Sequence, residues 1–184
     1  MIYGGPQLRG QTYDLRTPPA GVSVIYGRSG NDVNGDTLTA CDLNRDGIDD
    51  FVISAPQATP FGRFYAGDLD VFYGGKVRLP AVLDLASVPD TLPRRYLAGI
   101  AANDIAAYSM ASGHADADLF ADLWINGMAG DGYQNQYADA GEAYCVSGQD
   151  LSRGSTALAS LPRIGTQLNL EIRMEPGATY VAAC

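Results

Sequence analysis

The segment DLNRDGIDDFVIS (residues 42–54) joins a nine-residue acidic loop to a run of β-branched and aromatic residues. Side-chain oxygens stand at loop positions 1, 3, 5 and 9, which are Asp42, Asn44, Asp46 and Asp50. Position 6 is Gly47, and glycine adopts the left-handed backbone of a tight turn without steric cost. The segment therefore predicts a tight polar loop that leads directly into a strand.

The same pattern recurs along the chain. Residues 29–53 align without gaps on residues 101–125, at an offset of 72, and this alignment places Asp50 on Asp122. Short strand-like runs that end near glycine recur on both sides of the aligned segments. Self-similarity at a fixed period predicts stacked structural repeats.

Four strand candidates fall within each period. They lie at 37–41, 51–54, 69–73 and 95–98 in the first period, and at 108–112, 123–126, 143–147 and 168–174 in the second. Four antiparallel strands per repeat are typical of a β-propeller blade, whose neighbours cover one another's faces. We therefore expect an all-β fold.

We expect one array of about two and a half repeats. Its predicted parts are half-blade strands at 1–30, a first repeat at 31–100, a second at 103–176 and the start of a third at 177–184. Propellers close with about four to eight blades. The array is therefore expected to be an incomplete ring, completed by further blades, by further copies of the chain or by other protein partners.

Composition excludes several classes of function. The net charge is −9 and the 12 basic residues are scattered, so no basic stripe is present to bind nucleic acid. No apolar run reaches the ~18 residues of a membrane span. The single histidine, His114, leaves little support for an enzyme, and no spacing singles out a pair of catalytic carboxylates.

Three cysteines, Cys41, Cys145 and Cys184, lack the CxxC spacing of zinc or redox motifs. An odd number prevents a complete set of internal disulfides. The pattern favours buried free thiols.

The acidic loop has the chemistry of a calcium site. A hard cation prefers about six to eight oxygen ligands, and clustered carboxylates repel one another unless a cation lies among them. An EF-hand would need a bidentate acid at position 12, where this chain has Ile53. A solvated acidic turn without a metal is the alternative.

The second loop, residues 114–122, departs from this pattern. It has His114 at position 1 and Leu119 in place of the turn glycine. Imidazole suits transition metals better than calcium, and leucine would need an unfavourable positive φ or a different turn. A weak or rearranged site and an empty loop both remain open. The segment at 32–36 is similar but has Ala40 at its ninth position, so we interpret it as a polar loop without a metal.

Together these motifs resemble the FG-GAP repeats of integrin α-subunits. The resemblance rests on Asn31-Asp32, the acidic loop, the strand that ends at Pro56 and the run from Val71 to Gly74. Ser54-Ala55-Pro56 stands for the family's Gly-Ala-Pro, and the second repeat has lost this proline. The resemblance implies Ca²⁺ ligand roles for Asp42, Asn44, Asp46, Ile48 through its carbonyl, and Asp50. The degenerate second set is His114, Asp116, Asp118, Phe120 and Asp122.

The resemblance also implies a function. We expect a calcium-binding extracellular module, secreted or on the cell surface, with a structural, adhesion or assembly role. The alternative is an accessory propeller domain or subunit of a secreted or membrane-associated enzyme complex, with the catalytic residues elsewhere.

Overall fold

The computed structural model describes residues 1–152 and four short strand segments between 161 and 180. The strands are β1 (Val24–Tyr26), β2 (Leu38–Cys41), β3 (Asp50–Ala55), β4 (Asp68–Phe72), β5 (Val82–Asp84), β6 (Arg94–Ala98), β7 (Ala106–Gly113), β8 (Asp122–Gly127), β9 (Glu142–Val146), β10 (Leu161–Pro162), β11 (Gln167–Leu168), β12 (Glu171–Met174) and β13 (Ala178–Tyr180). Helical structure comprises α1 (Gly148–Ser152) and 3-10 turns at Pro6–Leu8, Pro60–Gly62, Leu85–Ser87 and Tyr133–Asn135.

The two main sheets contain the strands that the repeat predicts. The first has the order β13-β12-β6-β4-β3-β2 and the second has the order β7-β8-β9, with antiparallel neighbours throughout. Their bounds agree with seven of the eight predicted strands to within one or two residues. In the described part of the chain no sheet closes on itself as a barrel. The prediction of antiparallel, blade-like sheets is confirmed.

Two pairings differ from the expected blades. The strand predicted at 168–174 was expected beside the second sheet, but Glu171–Met174 pairs with β6 and extends the first sheet; residues 169–170 lie outside the described part. The outer edge of β6 offers free N–H and C=O groups, and an added strand satisfies them. β1 pairs in parallel with β5, although the repeat predicts antiparallel neighbours.

Alternation along the strands sorts their side chains onto two faces of the first sheet. Val52 and Val71 form one face and pack on the second sheet, in a core cluster that also contains Leu123 and Ile125. On the opposite face, Ile53 and Phe72 join Leu83 and Leu85 in a second cluster. Successive strand residues point to opposite faces, so one register fixes both surfaces.

The first strands of the two sheets lie side by side. Thr37 Oγ1 donates to the carbonyl oxygen of Tyr108 at 2.7 Å, and the hydroxyls of Thr39 and Ser112 are 3.0 Å apart. β2 and β7 occupy equivalent places in the repeat, and their contact is the stacking expected of consecutive blades. In the described residues, no helix is long and apolar enough to cross a membrane.

Candidate functional site

The first acidic loop connects β2 to β3 and is held by its own side chains. The Asp42 carboxylate accepts hydrogen bonds from the N–H of Asp46 at 3.1 Å and from that of Gly47 at 2.8 Å. Asn44 Oδ1 accepts from the Asp46 N–H at 2.9 Å, and Asp46 Oδ1 from the Ile48 N–H at 2.9 Å. Gly47 has a φ of 84°, as the sequence predicts. These bonds fold the polar side chains back over the loop.

Asp50 ends the loop in a different environment. It is fully buried, and its two oxygens accept from the N–H of Leu43 at 2.9 Å and from that of Gly74 at 2.7 Å. Burial raises the pKa of Asp50, while these backbone donors oppose the shift because they favour the charged carboxylate. The carboxylate thereby ties the loop to the end of β4.

Gly74 has a role that the sequence analysis did not assign. A Cβ at this position would lie 2.3 Å from the carbonyl oxygen of Asp49, so only glycine brings its N–H close enough to Asp50. The signal was present in the sequence, because the third strand of each repeat is followed by glycine. The glycine pattern could not show that the Gly74 N–H bonds to the Asp50 carboxylate, because the two residues are 24 positions apart in the sequence.

The second loop repeats this anchor. Asp122, at 1% exposure, accepts from the N–H of Ala115 at 2.7 Å and from that of Gly148 at 3.1 Å. A Cβ on Gly148 would lie 2.0 Å from a backbone oxygen. Leu119 has a φ of 71°, so it keeps the left-handed turn of Gly47. Of the two expected possibilities, Leu119 therefore adopts the positive φ rather than a different turn.

A hydrogen bond crosses the second loop from position 1 to position 7. His114 Nδ1 lies 2.8 Å from the carbonyl oxygen of Phe120, which accepts from the ring. Asp116 and Asp118 accept from the N–H groups two residues further on, both at 2.8 Å. The Phe120 carbonyl oxygen, which is one of the predicted ligand atoms, is thus bonded to the His114 ring.

The two loops are neighbours. The Arg45 guanidinium lies over the ring of Phe120, with its carbon 5.1 Å from the ring centroid. Arg45 is the only basic residue of the first loop. The only cationic side chain of the first loop is thus stacked on the second loop.

The donor set of the first loop fits a hard cation by its chemistry. Asp42 and Asn44 carry oxygens on the half-buried part of the loop, and Asp46 and Ile48 on its exposed part. Each carboxylate oxygen retains a lone pair beyond its hydrogen bond. Among the described residues, no three Asp, Glu, His or Cys side chains already form a metal-ligand cluster. The carboxylates of Asp42 and Asp46 accept from backbone N–H groups, and Asp46 Oδ2 also accepts from Asn44 Nδ2 at 3.2 Å.

The segment at 32–36 lies at the entrance to β2. Asp32 is buried at 8% exposure, and its neighbours Asn31 and Val33 have φ values of 67° and 59°. The equivalent residues of the second repeat, Asn103 and Ile105, have φ values of 69° and 53°. The shared backbone conformation accounts for the repeated Asn-Asp pair without a metal.

The cysteines differ from the expectation of buried free thiols. Cys41 is a free, partly buried thiol, whereas Cys145 forms a disulfide bond. The prediction was wrong for Cys145 because spacing along the chain does not show which cysteines meet in space. Cys184 lies outside the described residues.

In the first sheet an acidic loop joins β2 to β3, and a second sheet of the same kind is stacked on it. This arrangement is that of β-propeller blades. A comparison with family models assigns the segment more closely. Residues 34–72 match the FG-GAP repeat family, and this range contains β2, the first acidic loop, β3 and β4. This segment is therefore similar to an FG-GAP repeat, as its motifs predicted. Comparison with curated proteins gave no match.

Proposed function

We propose that this protein is a calcium-binding propeller module with a structural or adhesive role, and that the first acidic loop is its calcium site. The observation that carries the proposal is the donor set of that loop: three carboxylates, one amide oxygen and the Ile48 carbonyl in nine residues. Asp42, Asn44, Asp46, Ile48 and Asp50 would hold the ion. The ion would reduce repulsion between the carboxylates and stabilise the loop between β2 and β3.

The second loop is proposed to work without a metal. The bond between His114 and the Phe120 carbonyl links loop positions 1 and 7, which in the first loop are both assigned to the cation. The shared anchor at Asp122 keeps the turn in place. Calcium stoichiometry is therefore expected to be one per chain in the described residues.

Calorimetric titration of the chelated protein with calcium tests the site. Asp46→Ala should weaken binding at least tenfold and remove most of the calcium-induced rise in Tm, because one carboxylate ligand is lost. Asp49→Ala is the matched control: it removes an exposed carboxylate from the same loop at an even-numbered position. Equal effects of the two variants would mean that only the overall charge matters, and would overturn the site.

The converse experiment uses the second loop. His114→Asp removes the cross-loop hydrogen bond and supplies a carboxylate at position 1, next to Asp116, Asp118 and Asp122. Combined with Leu119→Gly, it should raise the stoichiometry from one calcium to two. A wild-type protein that already binds two ions would contradict the metal-free role of the second loop.

An extracellular location is part of the proposal. The disulfide at Cys145 supports it, because such bonds persist in oxidising compartments and are rare in the cytosol. A binding role rather than catalysis is supported by the single histidine, which is engaged in the second loop. Extracellular calcium sites commonly bind at about 10⁻⁴–10⁻³ M, so the titration should span that range.

A further inference from the structure

A cleft of about 420 Å³ lies between the segment before β2 and the connection from β3 to β4. It is lined by residues 28–32, by residues 57–61 and 64–65, and by Asp68 of β4 and Tyr96 of β6. We call it the Asp32 cleft. It lies at the opposite end of β2 and β3 from the first acidic loop, so it is separate from the proposed calcium site.

Asp32 is a buried carboxylate without a partner in the described part of the chain. It is 8% exposed and lines the cleft. Its backbone carbonyl accepts from the N–H of Gln57 at 3.2 Å, but among the described residues its side chain accepts no hydrogen bond and forms no ion pair. A buried carboxylate costs free energy unless a donor or a cation satisfies it. The cleft therefore lacks one donor beside Asp32.

The charges around the cleft leave one negative charge without compensation. Asp70 contacts Arg28 at 2.6 Å and Arg94 at 2.8 Å, and Asp68 contacts Arg28 at 3.3 Å. Two guanidinium groups thus serve two carboxylates, and Asp32 is the third carboxylate. Among the described residues, no three Asp, Glu, His or Cys side chains form a metal-ligand cluster. The missing positive charge is therefore better supplied by an organic cation than by a metal ion.

Aromatic rings give the cleft a second feature of a cation site. Phe61, Phe64, Tyr65 and Tyr96 all line it. The Arg28 guanidinium lies over the Tyr96 ring, with its carbon 4.3 Å from the ring centroid, so the cleft already holds one cation on an aromatic face beside a carboxylate. Phe61 is 46% and Phe64 is 55% exposed, which leaves ring surface open to a ligand. Aromatic faces attract cations through the ring quadrupole.

We infer that the Asp32 cleft binds a small molecule that carries a primary ammonium group, with the ammonium on Asp32 and the alkyl chain against Phe61 and Phe64. A primary ammonium has three N–H donors and one positive charge, which are the two things that Asp32 lacks. The cleft has the volume of a small-molecule site. Arg28, between Asp68 and the Tyr96 ring, shows the same combination of contacts within the cleft.

Titration of the wild-type chain with n-butylammonium, followed by the amide chemical shifts in NMR spectra, tests the inference. We expect saturable shifts concentrated in residues 28–32 and 57–65. Binding should be at least ~10-fold tighter than that of n-butanol, which has no charge, and of tetramethylammonium, which has no N–H donor. Asp32→Asn should weaken binding at least ~10-fold. Asp36→Asn is the matched control, because it changes an exposed carboxylate of the same segment outside the cleft.

The variant should remain folded, so its result can be interpreted. Asp32→Asn should melt at or above the temperature of the wild type, because it removes a buried charge without a partner. If it melts lower, Phe64→Leu repeats the test, since it removes an exposed aromatic face and should also weaken binding. An affinity that Asp32→Asn leaves unchanged, or equal binding of either comparison compound, overturns the inference. So does a wild type without saturable binding, as expected if a basic side chain of the same polypeptide pairs with Asp32. The titration is done in a chelator, so its outcome is independent of the calcium site.

Discussion

At the residue scale, Leu119 has a strained backbone conformation. Its φ of 71° lies in the left-handed region, which costs a non-glycine residue about 1–2 kcal/mol. The side chain is 65% exposed, so its removal loses little packing. We expect Leu119→Gly to raise the free energy of unfolding by about 0.5–1 kcal/mol, because part of the relief is offset by the greater freedom of glycine in the unfolded chain. Urea denaturation measures this.

The equivalent position of the first loop provides the reverse experiment. Gly47 has a φ of 84°, and no heavy atom lies within 4 Å of a Cβ built there. Gly47→Ala should therefore cost about 1 kcal/mol through the backbone alone. If both variants left stability unchanged, the shared left-handed turn would not be present in solution.

A second residue-scale feature is a cluster of buried carboxylates and partly buried arginines. It lies on the face of the first sheet that points away from the second sheet. Arg28 contacts Asp70 at 2.6 Å, Arg94 contacts Asp70 at 2.8 Å, and the Tyr96 hydroxyl donates to Asp68 at 2.7 Å. Burial raises the pKa of Asp68 to about 6, because the loss of hydration outweighs attraction to Arg28 and the Tyr96 hydrogen bond; the nearby Asp70 and Asp32 add to the rise. Asp68 is thus easier to protonate in the folded state than in the unfolded chain.

This shift gives stability a predictable dependence on pH. Between the ordinary pKa of 3.8 and about 6, the folded state binds a proton that the unfolded chain has released. The contribution of Asp68 therefore falls as pH rises through this window, by up to ~2–3 kcal/mol. In Asp68→Asn this fall should disappear, as measured by denaturation at several pH values. The exposed Asp90→Asn serves as the control; an unchanged slope in Asp68→Asn would contradict the assignment.

At the scale of elements, the end of β4 depends on the close approach of Gly74 to the first loop. A Cβ would meet the Asp49 carbonyl oxygen at 2.3 Å and the Ile48 side chain at 2.8 Å. Gly74→Ala should therefore push the loop away, weaken the bond to Asp50 and cost about 2–3 kcal/mol or more. Gly75→Ala is the matched control, because nothing lies within 4 Å of a Cβ there. Thermal melting in a chelator should separate the two variants; similar melting temperatures would argue against the anchor.

The sequence predicts elements well where the pattern is local. Strands such as Asp50–Ala55 and Asp122–Gly127 follow from β-branched runs beside acidic loops, and the 72-residue offset relates them. The turn at Gly47 also follows from residue type alone. For these parts the local signal and the tertiary structure agree.

Local sequence patterns do not predict the long-range contacts. The parallel pairing of β1 with β5 and the pairing of β12 with β6 join strands that are far apart in sequence, and either edge of a sheet satisfies the same hydrogen bonds. The buried carboxylate of Asp50 was predicted as a metal ligand, but its two backbone donors were not. The cross-loop bond of His114 likewise depends on a carbonyl that no residue pattern marks.

At the scale of the whole molecule, one core cluster combines both sheets. Val52, Val71 and Leu97 of the first sheet pack with Leu123 and Ile125 of the second, all at 6% exposure or less. Neither sheet can expose its side of this cluster without uncovering the other. The two sheets should therefore unfold in one cooperative transition.

Truncation of the core from either side tests this cooperativity. Leu97→Ala and Leu123→Ala, in different sheets, should each lower the free energy of unfolding by about 2–5 kcal/mol, because each leaves a cavity in the shared core. In both variants the far-UV circular dichroism and the fluorescence of Trp124, which reports on the second sheet, should change at the same denaturant concentration. The exposed Val77→Ala should change stability by less than about 0.5 kcal/mol. A Leu97→Ala protein whose circular dichroism falls before its Trp124 signal would mean that the first sheet unfolds alone, and that the shared core does not couple the two blades.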